Sequence, residues 1–427
     1  MRRKILQVIL GLITKRIVKR YNPIIIAVTG SAGKTSTKDA LAIFLERYFS
    51  VRKSPGNLNT EFGLPLVFIG AEKSGGKCIL SWLKIIFSGI KKIVKEEKSY
   101  PKMIIVEMGA DRPGDISYLT GLVKPQVSVL TLISDSPVHL GNYQNLDQLI
   151  QEKSEIIRPL NSDDYAVLNF DDPRVRALRK ETKAKVIYYG FDEGADVRIS
   201  NFSYRQEQGY LKGIVFAISY KEEKKVIYLP NCLGKPFAYA VAAALSCGIV
   251  FNLGLNRAAD IFRDFEPEKG RLNLIDGRSG SLILDDTYNA SPASVKSALE
   301  TLSQLPAERR IAVLGDMKEL GGNSQKAHRE IGSLAAGIVD ILIAVGQEAK
   351  EIRDEAVEMG LGVKNSYHFE DLETASETVK EIASAGDLIL VKGSQSMRME
   401  KIIEKAMKNP GRAGELLVRQ ETSWKKR

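Results

Sequence analysis

The sequence predicts an α/β protein of two consecutive domains, the first built on a mainly parallel sheet and the second doubly wound and Rossmann-like. Three observations carry this expectation. From Ile24 onward, short apolar runs ending in glycine or polar residues alternate with helical patterns. A second series of the same kind starts near Ser279. A glycine-rich turn, "AVTGSAGKTSTKDA", leaves the first apolar run and leads into a helix. Apolar strand followed by helix, repeated, is the sequence form of a parallel sheet covered by helices.

In the first series, residues 24–28, 102–106, 127–133 and 165–169 read as strands. The texture changes over 185–229, where "KVIYYGF", "GIVFAISY" and "KVIYLP" read as antiparallel ribbons, and an alanine-rich helix follows at 238–247. In the second series, "SLILDDTYN", "RIAVLGDM", "ILIAVGQ" and "LILVKGS" are apolar strands with polar ends, each followed by a helical stretch. The expected division is a terminal helix over 1–23, a central domain over 24–276 and a C-terminal domain over 277–427. Pro267, Lys269 and Gly270 mark the connection over 265–275. Residues 71–102, with "SWLKIIFSGIKKIVKEEK", read as a basic helical insertion between two core strands.

The chain has 427 residues, 44% of them hydrophobic and 27% charged, a composition that suits a globular protein with a large core. Three cysteines, Cys78, Cys232 and Cys247, form no CxxC pair, which argues against a structural zinc site and favours a reducing, cytoplasmic compartment. The net charge of +10 does not point to nucleic acid, because residues 1–23 alone hold seven basic side chains and no acidic one. The apolar run 5–14 inside that segment is about half the length a spanning helix needs. It reads as a basic amphipathic helix, either lying on a membrane surface or packed on the main domain.

In Gly30-Ser31-Ala32-Gly33-Lys34-Thr35-Ser36, glycines let backbone N–H groups approach phosphate oxygens, Lys34 adds a positive charge, and Thr35 offers a hydroxyl to Mg²⁺ at a helix N-terminus. The fold class is therefore a P-loop mononucleotide-binding domain followed by a Rossmann-like one. A magnesium–nucleotide site needs carboxylates at strand ends. Glu107 closes "MIIVEMGA", with Asp111 and Asp115 in the next turn, and His139 falls on the same sheet edge. "GNLNTEFGLP" (56–65) either hydrogen-bonds a polar ligand or simply turns the chain. By pattern alone, Lys153 is an ordinary helix-surface charge. Two α/β domains with facing polar edges suit the joining of two bound substrates.

Taken in order, TGSAGKTSTK, GNLNTEFGLP, VEMGAD, the His139 loop, EKSEI, DDTYNASPAS, LGDMKELG and VKGSQSMRME resemble the Mur ligase family, over about 24–406. The resemblance implies an ATP-dependent, ADP-forming amide ligase of peptidoglycan precursor synthesis, in the branch that joins D-alanyl-D-alanine to a precursor peptide. ATP and Mg²⁺ are the implied cofactors. It implies Lys34, Lys153 and His139 as catalytic residues, and Thr35, Glu107, His139 and Lys153 as magnesium ligands, with Lys153 carried as a carbamate. Asn57, Asn59 and Thr60 would meet the peptidyl substrate, Arg271 and Asn289 the nucleotide. Asp316, Lys392, Ser394 and Arg398 would line the cleft and meet the incoming amine.

Three departures from the family accompany the match. Only about 23 residues precede the first strand, so the family's N-terminal UDP-binding domain is not matched. Lys235-Pro236-Phe237 stands where relatives commonly carry His-Asn. Gln395 stands where an arginine commonly follows Lys-Gly-Ser, with Arg398 expected further along the same helix to take its place. Two other readings stay open: a family ligase for a different amino-acid acceptor, and a nucleotide-binding regulatory or scaffold protein at the membrane. The expected protein is a cytoplasmic monomer with no nucleic-acid partner, and contact with the inner face of the membrane is one of the two placements open to its N-terminal helix.

Overall fold

The computed structural model describes residues 3–56, 58–76, 78–135, 142–208, 210–421 and 424; Asn57 and His139 lie outside the described residues. Two sheets organise the chain. The first contains β1 (Ile24–Thr29), β2 (Val51–Lys53), β3 (Met103–Glu107), β4 (Val127–Leu130), β5 (Tyr165–Asn169), β6 (Lys185–Gly190), β7 (Val197–Glu207), β8 (Tyr210–Tyr220) and β9 (Glu223–Pro230), in the order 2-3-1-4-5-6-7-8-9. Strands β2 to β6 pair in parallel, whereas β7–β8 and β8–β9 are antiparallel. "KVIYYGF" is thus not a ribbon. As β6 it extends the parallel sheet, with Val186 and Tyr188 packed in one apolar cluster and Ile187 and Tyr189 in the other, and its ladder to β5 runs from Lys185 to Tyr189.

Strand β1 shows why its apolar run ends where it does. Five of its six residues are buried, as a central parallel strand covered on both faces requires. Its neighbours β3 and β4 lie on opposite sides, so connections leave β1 in both directions and open a crevice at its carboxyl end. One face of the sheet is covered by α1 (Arg3–Tyr21), α3 (Gly63–Ile69), α4 (Ile79–Val94), α5 (Asp115–Leu122) and α6 (Leu146–Ser154); the other is covered by α2 (Lys34–Leu45) and α8 (Lys235–Val250). A short α7 (Pro173–Ala177) follows β5, and α9 (Ala258–Phe262) follows α8.

Helix α1 is packed on the domain. Leu6, Leu10, Ile13 and Ile17 are buried in the same apolar cluster as Ile25, Phe68 and Leu119. Of the two placements open to the basic helix, packing on the main domain is therefore realised, for one face of it. No helix among the described residues is long and apolar enough to cross a membrane.

The second sheet contains β10 (Asn273–Asp276), β11 (Leu282–Asp286), β12 (Arg309–Gly315), β13 (Ile341–Val345), β14 (Ser366–Phe369) and β15 (Asp387–Lys392), in the order 10-11-15-12-13-14. Strand β10 is antiparallel and occupies the end of the expected connection, where Asn273 to Asp276 pair with Asp285 to Leu282. Helix α10 (Pro292–Gln304) follows β11, with Ser291 and Ser294 forming a reciprocal cap at its start. One apolar cluster runs from α2 and α8 through Phe237 and Leu272 to α10 and β12, so the two sheets share buried surface.

Candidate active site

The phosphate loop closes the crevice at the end of β1. Gly30 and Gly33 have φ of 152° and 79°. A Cβ on Gly30 would lie 1.9 Å from Thr131 Oγ1, so both conformation and space demand glycine there. The loop is tied to the end of β4: Ser31 N–H donates to Leu132 O at 2.7 Å, Thr131 Oγ1 to Ala32 O at 2.6 Å, and Ser134 N–H to Ser31 Oγ at 3.2 Å. Lys34 folds back and donates to Gly30 O at 3.0 Å. Helix α2 begins at Lys34 with no side-chain cap, which leaves its first N–H groups available to an anion.

Thr35 joins two groups of residues. Its hydroxyl donates to Glu107 Oε2 at 3.1 Å, and Asn59 Nδ2 donates to Glu107 Oε1 at 3.3 Å. Glu107 is buried at the end of β3 and pairs with no lysine or arginine among the described residues. Lys153, on α6, is also buried; burial first, and the Lys34 charge second, push its ammonium down to about 7. Its neighbour Glu152 accepts from Gly114 N–H at 2.7 Å and Ile116 N–H at 2.6 Å, which fixes α6 against the start of α5. Lys153 is therefore no surface charge, because the face of α6 that carries it turns inward. Asp115 is committed elsewhere: its Oδ2 accepts the N–H groups of Asp111 and Arg112.

Thr35 also lines a cleft of about 700 Å³, together with Ser36, Asn169, Arg271, Asp286 and Lys392. Its walls come from both sheets. Lys392 Nζ donates to Asp286 Oδ2 at 2.6 Å and to Asn289 O at 2.9 Å, and burial pulls this lysine below its ordinary value. Arg271 lies over the Tyr288 ring at 4.1 Å. Its Nε is buried with no hydrogen-bond partner among the described residues, a donor that suits an added polar ligand.

Other expected residues are held differently. Thr60 Oγ1 accepts Gly63 N–H at 3.3 Å and so shapes the start of α3. Asn289 is exposed, and its Oδ1 accepts Gln395 N–H at 3.2 Å. Asp316 is buried, with Oδ1 accepting Ala349 N–H and Oδ2 accepting Lys318 Nζ, both at 2.7 Å. Ser394 Oγ accepts Lys318 N–H at 2.8 Å. Arg398 does not continue a helix from Gln395: residues 395–397 form one 3₁₀ turn, and Arg398 itself has φ 56°. Its side chain pairs with Glu400 and donates to Trp424 O at 2.9 Å. The left-handed residue turns it toward the C-terminal segment, where it serves as a structural anchor.

The sequence reading passed over Asn169, although it ends an apolar strand just as Glu107 does. It marked Lys235-Pro236-Phe237 only as a place where the usual polar contact is lost or replaced. All three of those residues line the cleft, and Lys235 Nζ stands 5.4 Å from the centre of the Phe191 ring. Lys38 is buried one helical turn beyond Lys34 and donates to Gly56 O at 3.4 Å, which ties α2 to the 56–65 loop.

A P-loop set between two α/β domains, with a buried glutamate and lysine beside it, defines the class of nucleotide-dependent ligases that assemble two substrates in a cleft. The chain belongs to the Mur ligase family: the Mur ligase middle domain matches residues 88–248, and the Mur ligase glutamate ligase domain matches 270–395. Among curated proteins it is 29% identical over 389 residues to the UDP-N-acetylmuramoyl-tripeptide–D-alanyl-D-alanine ligase of Bacillus subtilis, covering 90% of this chain and 76% of that one. The corresponding ligase of Rickettsia prowazekii is 28% identical over 385 residues, covering 89% of this chain and 77% of that one. Among solved structures, MurF ligase from Thermotoga maritima in complex with ADP superposes with a TM-score of 0.76 at 28% identity, covering 93% of this chain and 82% of that one.

Proposed function

We propose that this protein is an ATP-dependent ligase that joins D-alanyl-D-alanine to the peptide carboxylate of a peptidoglycan precursor, with release of ADP. The observation that carries this reading is the linkage through Thr35: one hydroxyl borders the cleft and also touches the buried Glu107.

The chemistry has two steps. A carboxylate oxygen of the precursor attacks the γ-phosphorus of ATP, the bond to the β-phosphate oxygen breaks, and ADP leaves an acyl phosphate. The amine of the dipeptide then attacks the acyl carbon; the tetrahedral intermediate expels inorganic phosphate, and the nitrogen loses a proton. Lys34 and the N–H groups at the start of α2 neutralise charge on the transferring phosphoryl group. Arg271 and Lys392 hold the nucleotide and the incoming dipeptide in line across the cleft.

The residues present fit magnesium, since Thr35 and Glu107 already form a hard oxygen pair. Thr35, with Glu107 near it, would hold a first ion, His139 would help hold a second, and a carbamate on Lys153 would add an anionic metal ligand; the ions would screen phosphate charge. The low proton affinity of Lys153 supports the carbamate, because only a neutral amine adds carbon dioxide. Asn57, Asn59 and Thr60 belong to the precursor side; Asn289, Asp316, Ser394 and Arg398 belong to the wall, with Asp316 and Arg398 acting through the loops they brace. The protein works as a monomer in the cytoplasm, at the inner face of the membrane.

Phosphate release with Mg-ATP tests the reading directly. Release that requires both a muramyl tripeptide and D-alanyl-D-alanine, and that falls away with D-alanine, L-lysine or glutamate, is expected. Equal release with a different amine would overturn the acceptor, and no release with any pair would overturn the ligase.

A further inference from the structure

Helices α1 and α4 are joined to each other and to the domain, yet both keep apolar side chains outside the contact. Gly89 makes the close approach: a Cβ there would lie 2.6 Å from Ile13 Cγ2. Tyr21 Oη donates to Lys92 O and accepts Glu97 N–H, each at 2.9 Å, and its ring stacks on Tyr100. With these faces used, nine of the fourteen large apolar side chains exposed among the described residues still belong to these two helices. On α4, Leu80, Leu83, Phe87, Ile90 and Val94 recur every three or four residues and form one stripe. Leu80 and Phe87 are each 70% exposed. On α1, Ile5, Val8 and Leu12 form a shorter stripe.

The charge carried by the two helices themselves has one sign, with Glu61 and Glu97 pairing Arg3 and Lys92 at their ends. Neither helix contains an acidic residue. Lys15 and Lys19 continue the α1 stripe beyond Leu12, and Lys84 and Lys91 flank the α4 stripe, all four exposed. An exposed apolar surface of this size needs an occupant, and the excess of exposed lysines on both helices disfavours a second copy of the same surface, which would repel it, and a basic partner.

We infer that α1 and α4 together form a docking surface for an anionic lipid leaflet. The α4 stripe enters the boundary between headgroups and acyl chains while the lysines meet anionic headgroups. This differs from insertion of α1 as a lone amphipathic helix, because Leu6, Leu10 and Ile13 are already buried in the protein. The surface also adjoins the 56–65 loop: Arg3 lies over the Phe62 ring at 4.9 Å, and Phe62 packs on Trp82 of α4. Docking therefore turns the precursor side of the site toward the leaflet. Only this last consequence rests on the ligase reading.

Sedimentation of the full-length protein with vesicles tests the surface without reference to activity. Vesicles of phosphatidylcholine with 30% phosphatidylglycerol, an amount on the order of that needed for a strong surface potential, are expected to bind at least tenfold more tightly than phosphatidylcholine alone. Rising salt is expected to weaken binding. The pair Leu83→Ser and Phe87→Ser, both at exposed positions, is expected to weaken it at least tenfold while melting temperature and ATP binding stay unchanged; Lys84→Glu with Lys91→Glu is expected to do the same. Absence of binding to either vesicle, or unchanged binding by both double variants, would overturn the inference. So would concentration-dependent dimerisation abolished by Leu83→Ser and Phe87→Ser without vesicle binding, since a second copy would then be the occupant.

Discussion

Lys34 and Lys153 illustrate how two like charges are used differently within one site. Lys34 is half-buried at the helix start and donates to Gly30 O, whereas Lys153 is buried and pushed down to about 7. Lys34→Ala is expected to lower turnover with Mg-ATP by a factor of about a hundred or more, the usual cost of removing one positioned electrostatic donor. Turnover within a few-fold of the natural protein would remove Lys34 from the mechanism. Lys153→Ala is expected to be inactive and to recover part of its rate when short carboxylic acids are added, because they restore an anion in the vacated space; an active variant indifferent to them would make Lys153 a packing residue.

Asp285 carries a pH dependence separate from the chemistry. It is wholly buried at the end of β11, its Oδ1 accepts the N–H and Oγ1 of Thr287, and its Oδ2 has no partner. Burial raises its pKa from the ordinary 3.8 to about 6. The folded state thus holds this proton more tightly than the unfolded chain does, so the contribution is fully present below about pH 4 and is lost as pH rises through 6. Above that, the ionised carboxylate costs the fold about 3 kcal/mol. Asp285→Asn is expected to gain stability over the natural protein between pH 4 and pH 8, measured by urea unfolding at both. A difference that does not change with pH would show that Asp285 stays ionised throughout.

At the scale of elements, the joint between α1 and α4 depends on Gly89. A glycine in a helix interior lowers helix stability, so its presence needs a packing reason, and the Ile13 methyl supplies it. Gly89→Val is expected to destabilise the protein by about 1–3 kcal/mol through overpacking, seen as a lower urea midpoint. An unchanged midpoint would mean that the two helices can separate at no cost. Both helices were legible in the sequence as basic and apolar. The side that each helix buries was not, since an amphipathic pattern fits a protein surface and a lipid surface equally well. Strand β6 presents the same ambiguity: "KVIYYGF" suits parallel or antiparallel pairing, and the partner β5 decides. Arg398 was misread for a related reason, because its left-handed backbone is set by the contacts with Glu400 and Trp424 and has no glycine or asparagine to announce it.

Over the whole molecule, the continuous apolar cluster that crosses Phe237 and Leu272 couples the two sheets. A single cooperative transition in calorimetry is expected, with equal calorimetric and van't Hoff enthalpies, although two domains of this size would unfold separately if only loops joined them. Two resolved transitions would mean that the shared cluster contributes little. ATP bound in the cleft is expected to move that transition upward, by about 2.7 kcal/mol of stability at a hundred times its dissociation constant.

What the sequence determined by itself was local and periodic. Apolar runs of strand length, the glycines that leave Gly30 and Gly33 their conformations, and the acidic strand end at Glu107 are properties of neighbouring residues, and they were enough for the fold class, the phosphate loop and the family resemblance. Only the tertiary structure decided which polar residues face one another. Thr35 meets Glu107, and Lys153 comes near enough to Lys34 to feel its charge, because β1 sits between β3 and β4, which brings chain segments far apart in sequence to one sheet edge. Asp316 likewise accepts from Ala349 N–H, and Arg398 donates to Trp424 O, contacts that no local pattern announces. The physical reason is that hydrogen bonds and desolvation act over a few ångströms in space, while sequence pattern reports only on the few residues nearest along the chain.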